Sequence, residues 1–67
     1  MNLLEKLRPI YQDKLSKSNL EYPDTVAHIV DSLEQHNEVN DLPYGVFAEL
    51  KLMTDTFCVS PYEFFNL

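Results

Sequence analysis

The sequence predicts an all-α fold: a small three-helix bundle closed by a short C-terminal helical turn. Three observations carry this expectation. Apolar residues recur at helical spacing in three separate stretches. The chain holds one glycine, Gly45, and no long alternation of apolar and polar residues of the kind a sheet requires. Ser60 and Glu63, with Pro61 between them, have the spacing of a helix-start capping box.

In NLLEKLRPIYQDKLSK, residues 2–17, the side chains of Leu3, Leu4, Leu7, Ile10, Tyr11 and Leu15 fall on one helical face. Pro9 interrupts it. Proline lacks the backbone N–H and clashes with the preceding turn, so a kink near residues 5–9, or a helix restarting with Pro9 in its first turn, is expected. The stretch SKSNLEY, 16–22, reads as a linker. PDTVAHIVDSLEQHNE, 23–38, reads as the second helix: Pro23 stands where a helix start tolerates it, Asp24 where the positive end of the dipole favours it. Its apolar stripe is Val26, Ile29, Val30 and Leu33. VNDLP, 39–43, reads as a second linker with Asn40 or Asp41 available as an N-cap.

From Pro43 to Phe57 a third stripe runs through Val46, Phe47, Leu50, Met53 and Phe57, with Leu52 off it. Gly45 marks either a close helix–helix approach or a tolerated first-turn glycine. After Ser60 come Tyr62, Phe64, Phe65 and Leu67. A single helical turn is unstable alone because nucleation is costly, so these aromatics must dock, either on the chain's own core or on another chain. The expected core is Val26, Ile29, Leu33, Phe47 and Leu50.

Sixty-seven residues fit one small helical domain, 1–67. A chain of this size buries only about 60% of the surface its unfolded form exposes. The single cysteine, Cys58, excludes an internal disulfide and suggests a reducing compartment, with the thiol as a small buried apolar group. No apolar run approaches the roughly 18 to 20 residues of a membrane span. The MNLLEKLRPI start lacks the basic and apolar regions of a signal peptide. A soluble, cytoplasmic protein with no membrane partner is the expectation.

The net charge of −6 is unevenly spread. Residues 1–17 hold Lys6, Arg8, Lys14 and Lys17 against Glu5 and Asp13, net +2, while residues 18–67 hold nine acids against Lys51 alone, net −8. Such a surface repels phosphate backbones and disfavours direct nucleic-acid binding. Metal ligation has little to build on: His28 and His36 are eight residues apart and Cys58 is isolated. One glycine leaves no phosphate-cradling loop, and so small a helical domain encloses little volume for a substrate. No enzyme activity, cofactor or metal is expected.

The stretch AELKLMTDTFCVSPYEF resembles the helix–turn–helix arrangement of small repressor domains, with an apolar helix, a short turn and a second helix. It carries Lys51 as its one base against Glu49, Asp55 and Glu63, a composition that DNA repels. In the predicted second helix, Asp24, Asp31 and Glu38 recur every seven residues with Glu34 on the adjacent row, Glu21 and Asp41 extend the line, and no lysine offsets it.

Carboxylates along a rigid rod can imitate phosphates and steer toward a basic cleft. The function expected is therefore that of a non-catalytic acidic interaction module. It would be an inhibitor of the kind phages and mobile elements encode, blocking a nucleic-acid-binding site on a larger host protein with a basic surface. The candidate partner-binding residues are Asp24, Asp31, Glu34, Glu38 and Asp41, with Tyr22, Tyr44 and Tyr62 as contact-rich aromatics. Two alternatives differ in class. A helix–turn–helix-like transcription regulator would have to rely on Lys6, Arg8, Lys14 and Lys17, and a self-associating structural protein would form a homodimer through apolar stripes.

Overall fold

Proline punctuates this chain, because the residue before a proline is driven out of the α region. In the computed structural model, which describes residues 1–67, Arg8 and Leu42 are extended ahead of Pro9 and Pro43, with ψ of 132° and 141°. Tyr22, ahead of Pro23, sits at φ −134°, ψ 63°. Between these breaks lie three helices: α1 (Gln12–Glu21), α2 (Pro23–Gln35) and α3 (Tyr44–Thr56). Short 3-10 turns at Leu4–Lys6, Pro9–Tyr11 and Val39–Asp41 complete an all-α fold without strands.

The N-terminal stripe restarts at Pro9, and the break changes which residues it buries. Leu3 is buried, while Leu4, Leu7, Tyr11 and Leu15 pack half-buried against the core. Ile10, expected on the same face, is 68% exposed, because the helical phase before the break does not continue after it. The expected linker 16–22 is also corrected. Nothing in SKSNLE stops a helix, so α1 propagates through Glu21 and ends only where Pro23 forces Tyr22 out.

Conversely, α2 stops at Gln35, three residues short of the expected end. Val39 and Leu42, both buried, have to turn into the core, and a straight continuation of α2 would not bring them there. The segment that leaves the helix is tied down: the Leu3 amide donates to the His36 carbonyl at 2.9 Å and Lys6 Nζ to the Asn37 carbonyl at 2.9 Å. Asn40 and Asp41 do not cap α3. They form the 3-10 turn, and Pro43 occupies the N-cap position. No other part of the protein closely approaches Gly45 on the side a side chain would occupy, so it is a first-turn glycine rather than a close-approach site.

The central cluster joins Ile29 and Leu33 of α2, Val46 and Leu50 of α3, Leu3, Val39, Leu42, Phe64 and Phe65. Val26 is buried as well. Phe47 is not fully buried as expected. The buried line of α3 runs through Val46, Leu50 and Thr54, which leaves Phe47 at its edge, half-buried, with its ring 6.4 Å from that of Tyr62. Thr54 tolerates full burial because its hydroxyl donates to the Leu50 carbonyl at 3.0 Å.

Phe64 and Phe65 close the chain's own core. The Phe64 ring stacks on Tyr11 at 5.4 Å and on Phe57 at 6.1 Å, and meets Phe65 edge-on at 5.3 Å. The tail also satisfies backbone groups that the break at Pro9 releases. Leu7 and Phe65 form an isolated antiparallel bridge, and the Arg8 amide donates to the Phe64 carbonyl at 3.2 Å. The Asn66 amide donates to the Lys6 carbonyl at 2.6 Å, and Arg8 Nε to the Phe65 carbonyl at 3.2 Å. Ser60 Oγ accepts from the Glu63 amide at 3.2 Å, as a capping box requires, but the Glu63 carboxylate meets the Ser60 hydroxyl rather than its amide, and the residues that follow form a tight turn rather than a helix.

Cys58 corrects a further expectation. It is exposed, with φ of 62°, at the end of α3. Its amide donates to the Asp55 carbonyl and that of Val59 to the Thr54 carbonyl, the paired bonds of a Schellman cap in which this position is left-handed. The cysteine stands where a helix end needs a turn, so its side chain points away from the core.

Candidate partner-binding surfaces

The outer face of α2 opposes Val26, Ile29 and Leu33, so Asp24, Asp31 and Glu34 are all exposed. Asp24 and Asp31 lie about 10 Å apart along the helix axis at 1.5 Å per residue. Asp31 Oδ2 accepts from Gln35 Nε2 at 3.0 Å, which holds that carboxylate against the helix. Glu38, the expected third member of the row, lies beyond the end of α2 and is exposed in the connection to the Val39–Asp41 turn. The heptad line is therefore interrupted after Asp31.

Glu38, Asp41, Tyr44 and Tyr62 lie around that turn, off the α2 row. Tyr62 donates its hydroxyl to Asn40 Oδ1 at 2.9 Å, which fixes its ring between two shallow recesses. Glu38 lines one of them, and Tyr44, 87% exposed, lines the other. Tyr22 stands apart from both. The eight candidate residues thus form a row on α2, a cluster at the Val39–Asp41 turn and an isolated tyrosine at the α1–α2 junction.

That tyrosine borders a feature the sequence reading missed. A cleft of about 410 Å³ lies between the end of α1, the start of α2 and α3, lined by Ser18, Tyr22, Val26, Glu49, Leu52 and Met53 among others. The signal for it is Leu52, an apolar residue off the buried stripe of α3 and 69% exposed. Glu49 contributes the cleft's carboxylate. Its Oε2 lies 3.3 Å from His28 Nδ1, is shielded from solvent and has no aligned hydrogen bond.

The charges pair sparingly. Lys17 pairs with Asp13 and the Glu49 carboxylate contacts the His28 ring, so Asp24, Asp31, Glu34, Glu38 and Asp41 have no cationic partner. The N-terminal bases are engaged within the chain. Lys6 and Arg8 donate to backbone carbonyls, Lys14 Nζ sits 5.8 Å from the centre of the Phe57 ring, and Lys17 pairs with Asp13. No group of three or more His, Cys, Asp or Glu side chains is placed to hold a metal ion. No helix is long and apolar enough to cross a membrane. No protein-family model matches the chain, and neither a curated protein nor a solved structure matches it.

Proposed function

We propose that this chain is a non-catalytic acidic interaction module that occupies a basic, nucleic-acid-binding site on a larger protein. The observation that carries the reading is the row of exposed carboxylates on α2, Asp24, Asp31 and Glu34, left without cationic partners on a helix seated in the core through Val26, Ile29 and Leu33. Like charges along one face repel each other and lower stability, and surfaces that serve only solubility interleave both signs. A basic cleft gains from the same row what phosphates would supply, through long-range steering and charge-assisted hydrogen bonds. The break after Asp31 confines the mimic to α2, and Glu38 and Asp41 add charge at a second position. A DNA-binding role has less support, because four of the five bases are engaged in contacts within the chain.

The test is capture from a cell extract with two baits, the wild-type chain and the Asp31→Lys/Glu34→Lys variant, with double-stranded DNA as competitor. The reading predicts a protein retained by wild type, displaced by the DNA and lost with the variant. Retention by both baits alike, or retention that DNA does not affect, contradicts it.

A further inference from the structure

We propose that the cleft between α1, α2 and α3 is an anchor pocket for one arginine side chain of a basic partner, an inference that rests on the acidic-module reading and names its point of attachment. Val26, Leu52, Met53 and Tyr22 supply the apolar part of the lining, beside the hydroxyl-bearing Ser18, Thr25 and Thr56. At about 410 Å³ the space lies within the range of sites that enclose small ligands. None of the lining residues is basic, and Glu49 supplies a carboxylate. Its Oε2 is held out of solvent 3.3 Å from His28 Nδ1 and makes no hydrogen bond, a carboxylate oxygen that a donor from a ligand would satisfy.

An arginine suits this combination. Its methylene stem covers apolar surface while the charged head reaches a carboxylate. The guanidinium is planar and weakly hydrated and stacks on aromatic faces, and Tyr22 is the aromatic residue of the lining. Lysine offers a point charge without the stacking plane. The surrounding charge favours the same ligand: Glu21 precedes Tyr22, Asp24 follows it two residues on, and residues 18–67 carry a net −8.

The test is an amide-resolved NMR titration of the full chain with n-butylguanidinium, with n-butylammonium and n-butanol as comparison probes. The expected result is a saturable shift of the Tyr22, Val26, Glu49, Leu52 and Met53 amides, with an affinity on the order of millimolar. Butylammonium and butanol should bind more weakly. Glu49→Gln should weaken the guanidinium about fivefold, and Leu52→Ala, at an exposed position that leaves the fold intact, should weaken it as well. Absence of localised shifts, equal affinity in Glu49→Gln, or equal binding of butanol overturns the assignment. Shifts at the same amides on raising protein concentration alone would show a second copy of the chain filling the cleft and would overturn it too. Failure of the probe while capture still depends on Asp31 and Glu34 removes the pocket alone; saturable guanidinium binding with capture indifferent to those residues supports the pocket and removes the mimic.

Discussion

At Cys58 a non-glycine residue holds a left-handed conformation with φ of 62°, which the Schellman bonds to Asp55 and Thr54 impose. Non-glycine residues pay about 1 to 2 kcal/mol for that conformation, partly offset in a glycine variant by its freer unfolded chain. Cys58→Gly should therefore raise stability by roughly 0.5 to 1 kcal/mol, measured by urea denaturation. A variant less stable than wild type would show that the thiol makes a contact that outweighs the strain. Phe64 is the opposite case. It is fully buried and touches three aromatic rings, so Phe64→Ala should cost about 3 to 5 kcal/mol, enough to abolish a cooperative thermal transition in so small a core. A near-wild-type melting temperature in that variant would remove Phe64 from its central place.

The C-terminal tail acts as a single element, because Phe64, Phe65 and Asn66 together fill the core and satisfy the backbone of residues 6–8. Truncation after Pro61 should lower the melting temperature and expose apolar surface to a dye, independently of protein concentration. A truncated chain that keeps its stability would contradict the role of the tail. Two helices, α2 and α3, were legible from apolar spacing, and α2 most clearly, because Val26, Ile29 and Leu33 combine strict spacing with a proline start, whereas the stripe over residues 2–17 spans two 3-10 turns and only the first part of α1. Their limits were less legible. Ser and Asn in residues 16–19 suggest a loop by composition, yet only Pro23 physically stops α1. Val39 and Leu42 stand three apart, the repeat of a 3-10 turn, and that spacing holds the clue that VNDL is part of the core. Of the candidate site, the exposed acids of α2 were readable from helical phase. The separation of Glu38, Asp41, Tyr44 and Tyr62 from them, and the cleft beneath Tyr22, depend on tertiary placement that no local pattern encodes.

For the molecule as a whole, the charge is divided between a base-bearing N-terminal quarter engaged in internal contacts and an acidic remainder whose carboxylates on α2 are unpaired. That asymmetry makes recognition of a basic partner an electrostatic event, so its signature belongs to the association rate and to salt. Helix content is indifferent to it: circular dichroism of Asp31→Lys/Glu34→Lys should match wild type, since both residues are exposed and face away from the core. The most direct measurement is the association rate of the captured partner with wild type and with this double reversal, followed across ionic strength. The account predicts a wild-type rate that falls steeply as salt rises. For the reversal it predicts a rate lower by about tenfold or more at low salt, with a flattened salt dependence. Equal rates and equal salt dependence for the two proteins would contradict it.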